Sequence, residues 1–341
     1  VEAAEAGARV LVLEKMALTG GNTRISDGAL SAAGNFLQRA QGVEDSPELF
    51  AQDLARAGLG WNHPALVRTF AARAAEAIDW TRALGVRYLD RLDRFGGHSA
   101  ARGVTTSSHS GSELVKRMAE RLDALGVEVR TRCLLRGLDR DADGAVRGVR
   151  VRQGHDSRTP DSGQRATLRA RKGVVLATGG FAGDVRFRQL LQPRLDASMQ
   201  TTNQRGATAE ALVHALRQGA LPVHLSWVQL APWGCPDEKG YGKAGRFASY
   251  AVFPAGILVN PATGKRIVNE WADRRERADA MLAAGHPCVG MVDAHGAEME
   301  PDSLRICLKS GKARQFDTLA DLARAYDMPA QALERTVAEY N

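Results

Sequence analysis

The fold turns on VLVLEKMALTGGNTRISDG, residues 10–28. Val10, Leu11, Val12 and Leu13 form an apolar run that reads as a short buried strand, and Glu14 ends it. Upstream, residues 1–6 followed by Gly7 read as the tail of a helix closed by a glycine. Helix, glycine, apolar strand and an acid at the strand's C-terminal tip make the second half of a dinucleotide-binding βαβ unit. There the carboxylate accepts hydrogen bonds from ribose hydroxyls. The glycine fingerprint of such a unit sits about 20 residues ahead of that acid. It is therefore expected before Val1, with the unit cut through its first helix.

Thr19, Gly20, Gly21, Asn22 and Thr23 follow closely. Glycines admit a close backbone approach to a flat or charged ligand, and the hydroxyls and amide supply hydrogen bonds. Alone, the run reads equally well as a plain turn. A second motif, GVVLATGGF at residues 173–181, runs an apolar strand into Ala-Thr-Gly-Gly. In this order, LEK with GGNT and then VVLATGGF, the chain resembles the fumarate reductase and succinate dehydrogenase flavoprotein family. That resemblance implies FAD, with Glu14 and Lys15 at the strand tip and Glu14 on the adenosine ribose. Thr19, Gly20, Gly21, Asn22, Thr23 and Gly28 would line the diphosphate and isoalloxazine. Thr178, Gly179 and Gly180 would turn beneath the cofactor. The family's Gly-Asp-Gly before a later helix is Ala209-Glu210-Ala211 here, which keeps an acid, Glu210, to cap the helix but loses the close glycine approach.

A chain of 341 residues, 44% of them hydrophobic, has room for two domains and a sizeable core. The balance of 46 basic against 39 acidic residues leaves +7, but the charges are scattered and aromatics are only 6%. A solvated, arginine-rich surface explains this better than a nucleic-acid patch. A positive balance also suits an anionic cofactor and carboxylate substrates. Cys133, Cys235, Cys288 and Cys307 are far apart, which signals neither a zinc site nor a disulfide framework. No run approaches the length of a membrane span. The compartment is not readable, and the cytoplasm is the favoured expectation.

Residues 46–84 carry helical periodicity, opened by Ser46-Pro47-Glu48 and broken at residues 58–64. Phe50, Leu54, Leu66, Phe70, Ile78, Trp80 and Leu84 read as packing positions. The following FGGHSAARGVTTSSHSG, residues 95–111, is a long polar loop of the kind that is either functional or disordered. It carries His98, Arg102 and His109. Family members place a similar loop near flavin and substrate, which makes Arg102 a candidate anion contact. Residues 113–125 read as an amphipathic helix, and residues 132–171 as a small β-meander with Cys133-Leu134-Leu135 against the adenine.

From residue 229 the character changes. Residues 229–250 read as an irregular loop, followed by a hairpin with its turn at Pro261-Ala262-Thr263-Gly264 and by a helix capped by Asp273. GILVNPATGKRIVNEWADRRERADAML, residues 256–282, resembles the capping domain of soluble fumarate reductases without gaps. There an arginine four positions after the glutamate is the proton donor. The matching residue is Arg274, with Asn269 and Glu270 before it. Apart from the resemblance, Arg274 reads as a helix-start arginine bridging Glu270 or Asp273. Ala231 stands where the family has a histidine, and Ser249-Tyr250 fall near its proton-relay glutamate. Tyr250 is the substitute hydroxyl, with Asp237, Glu238 and Tyr241 as other candidates. Asp293 and His295 read as a strand-end turn rather than a metal pair.

The expected fold is α/β, a Rossmann-like two-dinucleotide-binding FAD domain (residues 1–228) with an inserted α+β cap (residues 229–341). The expected function is an FAD-dependent oxidoreductase acting on the C=C bond of a small unsaturated carboxylate or enone, with an unidentified electron donor or acceptor. The rivals are a ketosteroid-type flavin dehydrogenase and a non-catalytic, incomplete flavoprotein.

Overall fold

The apolar run after Gly7 is extended, as β-branched and leucine side chains in a half-buried run prefer, and forms β1 (Leu11–Leu13). The computed structural model describes residues 1–238, 242–285 and 287–341. In chain order the next strands are β2 (Ala29–Ser31), β3 (Gly103–Thr105), β4 (Glu128–Arg130), β5 (Cys133–Arg140), β6 (Val146–Gln153) and β7 (Gln164–Arg169). After them come β8 (Gly256–Asn260), β9 (Lys265–Arg266) and β10 (Val289–Val292). β1 runs parallel to β4, with Leu11 opposite Glu128. The ladder continues past the strand tip, since the Glu14 amide donates to Arg130 O and its carbonyl accepts from Cys133 N, both at 2.9 Å. Glu14 is thereby fixed at the end of the sheet.

Helices α1 (Glu2–Glu5), α2 (Gly21–Ile25), α3 (Phe36–Gln41), α4 (Pro47–Ala57), α5 (Pro64–Ala83) and α6 (Ser112–Ala124) precede β4. α4 starts as its sequence requires, with Ser46 Oγ accepting from Leu49 N at 3.1 Å and proline in the first turn. α3, α4 and α5 bury Leu37, Phe50, Ala74 and Ile78 against Val104 of β3. Leu66 and Phe70 are exposed, contrary to their reading as packing positions, because they lie on the outer face of α5. β5, β6 and β7 form the expected antiparallel meander. Its inner face, with Cys133, Val149 and Val151, packs against Leu13 of β1 and Val174.

The later helices are α7 (Val185–Leu191), α8 (Glu210–Leu216), α9 (Ala244–Phe247), α10 (Phe253–Ala255), α11 (Arg274–Ala284), α12 (Ala294–Ala297), α13 (Pro301–Lys309), α14 (Leu319–Ala325) and α15 (Ala330–Tyr340). A sheet of order β10-β8-β9 buries Ile257 and Val259 under α14 and α15, through Ala323 and Leu333. The layout is the expected α/β mixture. No helix of the described residues is long and apolar enough to cross a membrane.

Two stretches depart from their sequence reading. Residues 173–181 carry no regular secondary structure and join no ladder among the described residues, and Val175 is 90% exposed. A strand needs a neighbour, and β1 pairs with β4 alone. Residues 244–255 are helical rather than irregular, with α9 and α10 joined by a π-helical turn, Ala248–Val252, that buries Tyr250, Ala251 and Val252. Glu238 starts this run, because its carboxylate accepts from Lys243 N at 2.8 Å and Ala244 N at 3.0 Å. A glycine-rich lead-in hides that cap in the sequence. Tyr241 lies outside the described residues.

Candidate active site

A groove of about 1020 Å³ runs between the α2 region and the polar loop on one side and residues 229–277 on the other. Asn22, Asp27, His109, Arg246, Tyr250 and Arg274 all line it. Its first wall is built on tight backbone. Gly20 has φ +108°, and a Cβ there would stand 2.7 Å from Val115 Cγ2, so only glycine lets α2 lie this close to α6. Asn22 then ties α2 to residues 203–204, donating to Asn203 Oδ1 at 2.6 Å and accepting from Gln204 N at 2.8 Å.

Arg274 is the first residue of α11, whose cap Asp273 accepts from Arg275 N at 2.8 Å and Glu276 N at 3.0 Å. Its guanidinium lies 4.9 Å from the Trp233 ring centroid and donates to Gln229 Oε1 at 3.3 Å. No carboxylate of the described residues forms an ion pair with it. The bridge to Glu270 or Asp273 does not form, because Asp273 is occupied as the cap and Glu270 is held elsewhere. Burial pushes the Arg274 pKa down, against the charge of Asp27. Behind it, Arg277 is pushed down to about 10 by burial and then by the Arg274 charge. Arg277 sits 4.3 Å from the Phe253 centroid. An unpaired cation in an aromatic-walled groove releases a proton at lower cost than one in water.

Tyr250 OH donates to Asp27 Oδ2 at 2.8 Å. Burial, then the neighbouring Asp27 charge, raises its pKa well above the ordinary phenol value. Tyr250 is therefore a neutral hydroxyl in the wall. The sequence reading missed Asp27, although it directly precedes Gly28 in the first motif.

Two expected site residues serve structure instead. Arg102 is 0% exposed and spends its fork on acids, with Nε to Asp45 Oδ2 at 2.8 Å, Nη2 to Asp45 Oδ1 at 2.9 Å and Nη1 to Asp53 Oδ2 at 2.6 Å. It has no face left for a ligand and is not an anion contact. Glu270 is buried, accepts from Leu258 N at 2.7 Å and pairs with Arg266 at 2.5 Å. It anchors the hairpin to the start of α11 and is corrected from a catalytic to a positioning residue. Of the loop candidates, Glu238 caps α9, and Asp237 lies with it on a 3₁₀ turn. Asp293 caps α12 through Gly296 N at 2.7 Å, the turn the sequence predicts.

Of the residues expected at the cofactor, Asn22 lines the groove, and Thr178 and Gly179 line a second hollow. Glu14 Oε1 accepts from Met16 N at 2.7 Å, while Oε2 has no protein partner among the described residues. Lys15 reaches Glu210 at 3.1 Å and also Thr208, tying the strand tip to α8. Glu210 is thus paired with lysine; burial raises its pKa, but the bonds from Thr208 and Lys15 hold it below the usual carboxylate range. Thr178 and Gly179 face Thr208 and Ala211 across a hollow of about 320 Å³. Gly180 carries no atom within 4 Å of its Cβ position. Thr19 and Thr23 flank Gly20, Gly21 and Asn22 in sequence, and Gly28 admits no Cβ, which would collide with Thr106 Oγ1. A free carboxylate oxygen at a strand tip, tight glycine backbone and a concave groove fit a dinucleotide with a flat ring at one end.

The sequence profile of the FAD binding domain family matches residues 1–341. An acrylate reductase flavoprotein subunit from Shewanella woodyi is 36% identical, across 100% of this chain and 68% of its own length. A fumarate reductase (cytochrome) from Shewanella frigidimarina is 28% identical, across 100% of this chain and 57% of its own. The solved open conformation of a flavocytochrome c3 fumarate reductase superposes with a TM-score of 0.74 at 28% identity, over 99% of this chain and 58% of its own. The chain thus spans 57% to 68% of the length of these relatives.

Proposed function

The chain belongs to the FAD binding domain family, with FAD as its cofactor, and we propose that it reduces the C=C bond of a small α,β-unsaturated carboxylate. The observation that carries this reading is Arg274, a guanidinium in the groove wall with no carboxylate partner among the described residues. Bound FAD supplies the hydride that goes to one alkene carbon. Arg274 gives a proton to the neighbouring carbon as negative charge develops there, and its remaining positive field stabilises that charge before transfer. Trp233 and Gln229 hold the guanidinium in place. The names of the relatives, an acrylate reductase subunit and a fumarate reductase, support the same substrate class. Electrons would come from a donor the chain does not identify.

The test is alkene-dependent oxidation of reduced methyl viologen by the FAD-loaded protein, with acrylate and fumarate as substrates. Arg274→Ala and Arg274→Lys are expected to lower turnover by about 10²- to 10⁴-fold, the range of a lost general acid, with bound flavin unchanged. Undiminished turnover in Arg274→Ala would remove the arginine from the chemistry.

A further inference from the structure

Arg246 and His109 face the same groove as Arg274 and are not used by the proton transfer above. Arg246 lies on α9 with its side chain 10% exposed, held at two points by the Glu300 carboxylate: Nε to Oε2 at 3.0 Å and Nη2 to Oε1 at 2.9 Å. Glu300 is itself fixed by Ser303 Oγ at 3.2 Å. The guanidinium also stands 4.7 Å from the Tyr250 ring centroid. So oriented, it leaves Nη1 buried with no hydrogen-bond partner among the described residues. A buried, unsatisfied N–H on a charged group is costly, and native structures rarely keep one without a ligand or water to receive it.

His109 completes the arrangement. Arg246 Nη2 contacts its Nδ1. A guanidinium only donates, so Nδ1 must accept, and the imidazole is neutral with its proton on Nε2. Its one side-chain hydrogen bond among the described residues is at Nδ1, so Nε2 has no protein partner there. His109 also holds φ +51°, a left-handed conformation unfavourable for its side chain. The two residues are 137 positions apart in the chain, yet each orients the other.

We infer that Arg246 Nη1 and His109 Nε2 are a paired donor site for the carboxylate of the unsaturated acid, leaving Arg274 for the reacting carbon. This rests on the reductase reading above. Two charge-assisted or directed N–H bonds suit the two oxygens of one carboxylate. Hydride addition at the β carbon breaks the π bond and sends its electron pair toward the α carbon and the carboxylate oxygens. The donors strengthen there as Arg274 delivers the proton to the α carbon. Glu300 and Tyr250 position the pair and do not touch the substrate.

The experiment uses the FAD-loaded protein and non-reacting probes: propionate and its neutral isostere propionamide, titrated by calorimetry, alongside acrylate turnover. Arg246→Gln strands buried Glu300, so it is made together with Glu300→Gln. His109→Leu is compared with His109→Gln, whose amide can still accept from Arg246 and donate onward. The expected result is about 10- to 100-fold weaker propionate binding in the double variant and His109→Leu, near-normal binding in His109→Gln, and little change for propionamide. Acrylate KM should rise in the same order. Equal losses for propionate and propionamide, or unchanged propionate binding, would overturn the site. Acrylate turnover with unchanged propionate binding in the variants overturns the donor site alone. Arg246-dependent propionate binding without turnover of any alkene overturns the reductase reading and leaves the donor site standing.

Discussion

Arg102 and His98 sit five ångströms or so from the same phenylalanine and have opposite charge fates. The Arg102 guanidinium lies 4.7 Å from the Phe50 centroid, fully buried but paired with Asp45 and Asp53. Burial alone would raise the Asp53 pKa, yet bonds from Ser99 and Arg102 hold it below the usual carboxylate range. His98, 6.0 Å from the same ring, gains no such partner, and its Nδ1 is buried without one. Burial, then the Arg102 charge, pushes its pKa from 6.5 to about 4. The folded state therefore prefers the neutral imidazole, while the unfolded chain binds a proton below about 6.5. Stability rises with pH between those values and is lost as pH falls from about 6.5 to about 4. The drop is bounded by about 3 kcal/mol, less solvent screening. Thermal midpoints between pH 4 and pH 7 should flatten over this window in His98→Gln. An unchanged slope would place the proton uptake elsewhere. At this scale the sequence marked Arg274 because its motif is continuous over residues 256–282. Arg246 and Asp27 escaped because Glu300 and Tyr250, which give them meaning, are 54 and 223 positions away.

Helix α11 carries Arg274 on its first residue, so the accuracy of the groove depends on how that helix begins. Asp273 takes two of its free amides, the arrangement that stabilises an N-terminus and sets its direction. Asp273→Ala is expected to cost about 1 kcal/mol and to lower turnover without loss of flavin, as Arg274 shifts. Asp273→Asn, which can still cap, should restore most of both. Denaturant unfolding paired with the viologen assay checks this, and an Asp273→Ala enzyme with full turnover would separate the cap from the site. α11 and β8 were legible to the residue because their signals are local: a capping acid, a glycine after the last turn and a continuous apolar strand. Residues 173–181 misled for the opposite reason. Their composition says strand, but a strand is made by its neighbour, and none pairs with them among the described residues. The helical run at residues 244–255 was hidden because its starting cap, Glu238, sits in a glycine-rich segment.

Across the whole molecule, segments far apart in the chain are held by short ties, among them Asn22 to residues 203–204, Lys15 to Glu210, and Tyr250 to Asp27. Each is one or two hydrogen bonds, and partly exposed pairs of this kind contribute little by themselves. A net charge of +7 also repels itself when the chain is compact. An anionic dinucleotide addresses both weaknesses, because it binds the folded chain and not the unfolded one. Linkage then fixes the size of the effect: FAD at 100 times its Kd should add about 2.7 kcal/mol of stability. For a chain of this size that is a rise in Tm of several degrees, with visible flavin absorption at one per chain. Gly20→Ala should abolish most of that rise, since its Cβ collides with Val115 and α2 can no longer lie against α6. A Tm that ignores FAD would mean the protein's own ties suffice, and the stabilising role assigned to the cofactor would fall with it.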